Sequence, residues 1–585
     1  MGSFRKAVIG AVTILFVALA AGGAGATDIY VDTNNPQARD ANPGTQALPL
    51  KTVSTGASRA NAGDTVWVSS GTYREYVYLP RSGTDASHPI VVRGMPEATV
   101  ELKGSDLVTG WESFSGTIWR KSSWTVNSQQ VFADGVPLQQ IGTTSPFNTI
   151  FWGTTPILPP TGTGTADMPP GSFYYDQAAK ILYVRLADGS SPAGHTMEAS
   201  TRNTILSGAD VSFIELHGLK FSHSNVSSVP YMMGMVNVSG QSWVIADCSF
   251  TYGDFAGLNI TGNGHRILNN VCNHNGDVGI SINGSDNAHN WAAYAGRPPQ
   301  DLVLDGNETS SNNYRGFYVY YQSGGIKAAT SCNGVRISRH TSLSNGGPGI
   351  WIDISCQNMT IERSVLKNNT RGIEFEISDQ GLIANNLIAG NANQGIYVSA
   401  SNSVTVINNT VDGNGYGIVL HGMPRPEHPE LKNNTVLNNI ISNSGTADLV
   451  MYADPVAATG NSSDYNLFYR AGGGVAVSVT STTSYGVNYR SLGAYIAATG
   501  QDPHSLNADP LFAARAGGDF TLQAASPAID SGSNNPLAGT LDLPGNPRII
   551  AANGGATPVI DRGAYETAAT PALAAPTSLR IVSVN

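Results

Sequence analysis

Gly349-Ile-Trp-Ile-Asp353 and Gly372-Ile-Glu-Phe-Glu376 decide the fold. The same pattern, a glycine followed by alternating apolar residues, recurs at Gly325-Ile-Lys-Ala-Ala329, Gly395-Ile-Tyr-Val-Ser399 and Gly417-Ile-Val-Leu-His421. From Gly325 onward the intervals are 24, 23, 23 and 22 residues. Upstream, Gly257-Leu-Asn-Ile-Thr261 and Gly279-Ile-Ser-Ile-Asn283 stand 22 apart. Between the glycines lies a second signal, two asparagines, any residue and an aliphatic one, at Asn269-Asn270, Asn385-Asn386, Asn408-Asn409 and Asn438-Asn439. A fixed period of about 20–50 residues denotes a solenoid. No window carries the 3.6-residue periodicity that helical repeats need. Each unit instead holds two or three short alternating strands broken by Gly, Asn and Ser. The fold class is all-β, a parallel β-helix whose turns stack at ~4.8 Å. Asparagines at one rung position then form hydrogen-bonded ladders. Ladder asparagines face the turn, which argues against Asn408-Asn409-Thr410 as a glycosylation acceptor.

Working outward, residues 1–26 read as a signal peptide. Arg5 and Lys6 precede an apolar stretch from Ala7 to Ala20, and Ala24-Gly25-Ala26 is a small-residue cleavage site. The apolar run is short for a membrane span, and no later segment approaches ~20 apolar residues. The expectation is a secreted or periplasmic protein with no membrane span after cleavage. Residues 27–105 carry the first rungs, including Asp28-Ile-Tyr-Val, Asp40-Ala-Asn-Pro-Gly-Thr45 and Gly71-Thr-Tyr73. Across 106–199 the period is lost. Tryptophans, a Pro-rich loop and the strands Gly171-Ser-Phe-Tyr-Tyr and Ile181-Leu-Tyr-Val-Arg predict an inserted β-sandwich. Residues 200–467 form the main β-helix, interrupted by an excursion from Asn287 to Ser323. Residues 468–566 read as a C-terminal cap region, and the Ala/Pro/Thr-rich 567–585 as a disordered tail.

The 585-residue chain carries 32 basic and 42 acidic side chains, a net charge of −10, with charged residues at only 13%. An acidic chain without a basic block excludes nucleic acid as a partner. In so uncharged a sequence, the outward columns of the repeat stand out. Residues one and three past each glycine are apolar and point inward; those two and four past it point outward. The first outward column reads Lys327, Trp351, Glu374, Tyr397 and Val419; the second reads Ala329, Asp353, Glu376, Ser399 and His421.

Asp353 and Glu376 therefore occupy one position on adjacent rungs, with backbones ~4.8 Å apart. Such a like-charge pair raises one pKa. Retaining glycosidases need two carboxyls ~5–5.5 Å apart, one as nucleophile and one as proton donor. Trp351 and Tyr397 flank the pair and suit the face of a sugar. The residues alone leave this reading beside a calcium site and a surface acidic ladder. Lys327 could bind substrate, pair with Asp353, or serve as the base of a polysaccharide lyase or uronan epimerase. His421 is a substrate contact or a solvated histidine before a loop. Cys332 and Cys356 stand at equivalent positions on neighbouring rungs, either as a disulfide or as stacked thiols. Cys248 and Cys272 are out of register. No Cys/His spacing suggests zinc.

The strand of Asp353, the Phe375-Glu376-Ile-Ser segment 23 residues on, and Gly325-Ile-Lys327 resemble the active-site strands of glycoside hydrolase family 120, a β-xylosidase family. The resemblance extends to Lys103-Gly-Ser followed by Trp111 and Trp119, and spans about 28 to 415. It implies a right-handed parallel β-helix interrupted by an immunoglobulin-like β-sandwich. It also implies that Asp353 is the nucleophile and Glu376 the general acid/base, acting on a carbohydrate substrate. Where the family carries a His-Glu pair before its Gly-Ile-Lys, this chain has Tyr321-Gln322. Substrate contacts are expected from Lys327, Trp351, Glu374, Tyr397, Tyr321, Gln322 and His421. Hydrolysis requires no cofactor; calcium is a possible ligand of the acidic column, and the lyase or epimerase reading uses it. A third reading is a non-catalytic glycan-binding or surface β-helix.

Overall fold

The computed structural model describes residues 26–567 apart from 228–233, 285–299, 423, 424, 426, 427, 429, 455, 457, 482, 483 and 551–557. The signal-peptide segment, the tail beyond 567 and part of the 287–323 excursion lie outside the described residues.

Three sheets of 13 strands each run the length of the molecule. One begins at Asp28–Val31 and ends at Ser462–Asp464, and the second runs from Gly71–Tyr73 to Leu506–Asn507. The third, which carries the glycine pattern, begins at Val77–Tyr78 and ends at Ser484–Tyr489. Pairing in all three is parallel except at the last step of the third, where Val477–Ser481 meets Ser484–Tyr489 antiparallel. Successive chain segments visit the sheets in turn, so the coil is a parallel β-helix. Inward residues Ile350, Ile352, Ile373, Phe375, Ile396, Val398, Ile418 and Leu420 are fully buried in one continuous core. Each such side chain contributes roughly 1.5–3 kcal/mol by leaving water.

The repeat glycine has a steric cause. A Cβ on Gly372 would lie 2.4 Å from the carbonyl oxygen of Gly395 on the next rung. The asparagine pairs have a double cause. The first member, at Asn269, Asn385, Asn408 and Asn438, turns the corner at φ of 53–59°, a conformation asparagine tolerates better than most residues. The second member joins the ladder. Asn386, Asn409, Asn439 and Asn466 each pass an amide hydrogen bond to the next, at 2.9–3.1 Å. A second ladder, absent from the Asn-Asn pattern, links Asn275, Asn312, Asn345, Asn369, Asn391 and Asn414. Asn408 and Asn409 are wholly buried.

Two short α-helices modify the all-β expectation. Val53–Arg59 turns Val53, Gly56 and Ala57 onto the first rung, closing the open apolar end of the coil. Leu492–Thr499 buries Tyr495 at the other end. Asp40–Thr45 lies in turns ahead of the first helix and is not a rung strand.

Between Val100–Lys103 and Leu206–Ser207 the chain leaves the coil. It builds a four-stranded sheet that includes Val131–Ala133 and Met197–Ser200, and a five-stranded sheet that includes Ser172–Asp176 and Ile181–Arg185. Val131, Met197 and Ala199 of one sheet share an apolar cluster with Phe173, Leu182 and Val184 of the other. Glu198 anchors this unit to the coil through Arg74 and through Lys103 Nζ at 3.1 Å. A hairpin of Phe151–Trp152 with Thr155–Pro156 extends from it.

Asn409 makes five amide hydrogen bonds, two as acceptor and three as donor. Asn409→Ala is expected to destabilise the coil by about 2–4 kcal/mol in chemical denaturation, because its partners stay buried. The exposed loop change Ser87→Ala should leave the midpoint nearly unchanged.

Candidate active site

The third sheet sets the site by register. Ser281, Lys327, Trp351, Glu374, Tyr397 and Val419 are successive partners across six rungs. Glu376, Ser399 and His421 are partners in the neighbouring column. Asp353 follows strand Pro348–Ile352 directly, and its backbone N–H still donates to the Ala328 carbonyl at 2.9 Å. Asp353 and Glu376 thus stand at one column position on consecutive rungs. Both columns face outward from the coil, yet Lys327, Trp351, Asp353, Glu374, Glu376 and Tyr397 are all buried.

What buries them is a set of flanking segments. Trp152 from the insert hairpin, Tyr320 to Gln322 from the 287–323 excursion, and Arg425 from the loop after Tyr416–His421 enclose a cavity of about 460 Å³. That lies within the ~300–1,000 Å³ range of small-molecule pockets. Asp353, Glu376, Lys327, Trp351, Glu374, Tyr397, Tyr321 and Gln322 all line it. His421 does not; its ring nitrogen Nδ1 sits 3.3 Å from the Tyr397 hydroxyl, behind the wall.

The carboxylates differ in their partners. Asp353 Oδ2 is 2.8 Å from Lys327 Nζ. The same ammonium donates to the Tyr321 carbonyl at 3.0 Å and lies 3.3 Å from the centre of the Trp351 ring. Asp353 Oδ1 is buried without a hydrogen-bond partner, as are Glu374 Oε2 and Trp351 Nε1. Glu374 is paired with Arg371, although burial still raises its pKa. Among the described residues Glu376 has one ion-pair partner, Arg425, at 3.4 Å. Burial first, then the charges of Asp353 and Glu374, push the Glu376 carboxyl up to about 7. One carboxylate of the pair is ion-paired with a lysine; burial and the neighbouring carboxylates raise the proton affinity of the other.

Arg371, Arg425, Trp152 and Tyr320 were not among the residues expected from sequence. Arg371 precedes the repeat glycine Gly372, where strict alternation would turn it inward, so the period did not reveal its place in the cavity wall. Trp152 and Arg425 arrive from segments without periodicity. Calcium, which takes 6–8 oxygen ligands, does not suit this donor set, since Lys327, Arg371 and Arg425 each face one of the three carboxylates. Among the described residues no group of three or more His, Cys, Asp or Glu is placed to hold a metal ion. Cys332 and Cys356 are neighbouring buried thiols. Cys248 aligns with Asn270 rather than with Cys272, as its backbone N–H donates to Asn270 Oδ1.

Comparison with known proteins places the architecture among right-handed parallel β-helices. The family model of the right handed beta helix region matches residues 219–411 and 301–488. The structure of XylC in complex with xylose superposes with a TM-score of 0.56, covering 76% of this chain and 83% of that one at 17% identity. A glycoside hydrolase structure gives 0.52, covering 76% and 96% at 14% identity. At these identities the likeness is one of fold. The uncharacterized protein YwoF of Bacillus subtilis (strain 168) is 34% identical over 73 residues, a match that spans 12% of this chain and only 15% of that protein.

Lys327→Met leaves Asp353 buried without its cation. It is expected to cost about 3–5 kcal/mol, read as a lowered denaturation midpoint. The double change Lys327→Met with Asp353→Asn should recover a large part of that loss.

Proposed function

We propose that this protein is an exported, carbohydrate-active enzyme: a retaining glycoside hydrolase with Asp353 as nucleophile and Glu376 as general acid/base. The observation that carries the reading is the contrast within the stacked pair. Asp353 lines the cavity, is ion-paired with Lys327 through Oδ2, and among the described residues has no hydrogen-bond partner for Oδ1. Glu376, on the next rung, holds its proton up to about pH 7. The two requirements of the double displacement are an anion that attacks and an acid that protonates.

In the first step Asp353 Oδ1 bonds to the anomeric carbon as the bond to the leaving oxygen breaks, and that oxygen takes the proton from Glu376. In the second, Glu376 removes a proton from water, the water oxygen bonds to the anomeric carbon, and the ester to Asp353 breaks. Lys327 fixes Asp353 through Oδ2 and leaves Oδ1 as the attacking atom. Trp351, Tyr397, Tyr321, Gln322 and Glu374 hold the sugar. The proposed reaction needs no cofactor. The fold likeness to XylC, solved with xylose, and to a glycoside hydrolase is in keeping with membership of family 120. The two-sheet insert would then be that family's immunoglobulin-like unit. The N-terminal charged and apolar pattern supports export, to a secreted or periplasmic location. The enclosure of the cavity by Trp152, Tyr320 and Arg425 favours chain ends or short glycans.

The lyase or epimerase reading needs Lys327 as a base with a free lone pair. Its Nζ is instead committed to a carboxylate, a carbonyl and a ring face.

In a screen of aryl glycosides, Asp353→Asn should lower kcat/KM by at least about 10³-fold and Glu376→Gln by about 10²–10⁴-fold for poor leaving groups. Azide should restore turnover to a small nucleophile-site variant, Asp353→Ala, with the product's anomeric configuration inverted. Activity retained in Asp353→Asn contradicts the proposal. An unsaturated product absorbing in the ultraviolet would instead favour the lyase, and wild-type inactivity on all glycosides the binding module.

The pH profile gives a separate check. The acid step needs protonated Glu376, so kcat/KM should fall as pH rises through about 7. Glu374→Gln removes a negative neighbour, lowers the Glu376 pKa and should move that basic limb to lower pH.

A further inference from the structure

The cavity wall carries three cations, and they are not equally engaged. Lys327 has a carboxylate, a carbonyl and a ring face within 3.3 Å. Arg371 has Glu374, the Gln394 side-chain oxygen at 2.9 Å, and the rings of Tyr320 and Tyr397 at 5.4 and 5.0 Å. Among the described residues the Arg425 side chain has one polar partner, Glu376 Oε2 at 3.4 Å, longer than the ~2.7–2.9 Å of a charge-assisted hydrogen bond. Its Nε is buried without a partner, and the side chain is one-third exposed, at 34%. When Glu376 carries a proton, Arg425 faces a neutral carboxyl. Among the described residues that line the wall, three cations then stand against Asp353 and Glu374. Asp277, the other buried acid near Lys327, does not line the cavity and is held by Ser323 Oγ at 2.5 Å.

The stacking order says where this surplus charge lies. Lys327, Asp353 and Glu376 sit on successive rungs, and Arg425 folds back to Glu376 from the loop two rungs further on. Arg425 therefore stands beyond the proton donor, on the side away from the nucleophile. In a retaining site that side receives the leaving group.

We infer that Arg425 is a specificity-determining residue that binds a carboxylate on the leaving group, so that the substrate is a glycan whose leaving portion is acidic. The assignment of a leaving-group side rests on the glycosidase reading above. A guanidinium presents a planar fork that matches a carboxylate with two parallel hydrogen bonds. Uronic acid residues and acidic aglycones both offer that group.

Two arms test the inference on the full-length protein. In the kinetic arm, 4-nitrophenyl and 3-carboxy-4-nitrophenyl glycosides of one sugar are compared. The wild type should favour the carboxylated leaving group. Arg425→Met should lower the ratio of the two kcat/KM values by about tenfold, the loss of one charge-assisted contact, and Arg425→Lys should retain part of the preference. In the binding arm, calorimetry compares D-glucuronate with D-glucose. Glucuronate should bind more tightly to the wild type, and Arg425→Met should remove the difference.

A preference in the kinetic arm alone assigns the carboxylate to an aglycone; one in the binding arm assigns it to a uronic acid. Were Arg425 only a regulator of Glu376, Arg425→Met would raise the basic pH limit of both glycosides equally and leave their ratio unchanged. That result, or no carboxylate preference in either arm, overturns the inference. Turnover of glycosides with no such preference leaves the glycosidase reading standing without it. A glucuronate preference lost in Arg425→Met, with no glycoside turned over, does the reverse.

Discussion

Parallel stacking at ~4.8 Å removes any choice over which side chains become neighbours. A residue at a given offset from the repeat glycine meets the residue at the same offset one rung away. For apolar offsets the result is a continuous core, and for asparagine it is a ladder in which each amide satisfies the next. For carboxylates it is electrostatic conflict. Asp353 and Glu376 cannot move apart without breaking the register of the sheet that holds both. The fold therefore imposes an interaction that an ordinary surface would avoid, and raises the proton affinity of one member of the pair.

The conflict is tolerable because its charges are distributed. Lys327 neutralises Asp353 from the preceding rung, Arg371 neutralises Glu374 within its own strand, and Glu376 is left with a distant guanidinium. A buried pair with both partners satisfied is near balance, whereas removal of one partner leaves an uncompensated charge. The same arrangement that makes the site chemically polarised makes it structurally sensitive. Stability and reactivity here are two readings of one set of contacts.

Periodicity made legible whatever periodicity controls. The coil, the inward and outward columns, the asparagine ladder of the Asn-Asn pairs and the line-up of Lys327, Trp351, Glu374 and Tyr397 all follow from a count of about 23 residues. The pairing of Lys327 with Asp353 was among the options because the two lie on neighbouring rungs. The second ladder, through Asn312, Asn345 and Asn369, was not seen because none of these asparagines is followed by the spacer and aliphatic residue that marked the first. The capping helix Val53–Arg59 is too short to show a helical period. Trp152, Tyr320 and Arg425 reach the cavity through tertiary docking of aperiodic segments, which no spacing rule encodes. His421 illustrates the converse. It keeps its column position, but the wall in front of it is set by Tyr397.

The central claim is that Asp353, and not Glu376, bonds to the anomeric carbon. Trapping with an activated 2-deoxy-2-fluoro glycoside, followed by proteolysis and mass spectrometry, tests it most directly. The account predicts one sugar per chain, attached to the peptide that contains Asp353, with labelling abolished in Asp353→Asn and retained in Glu376→Gln. A label on Glu376, or turnover of the trap without any covalent adduct, would contradict it.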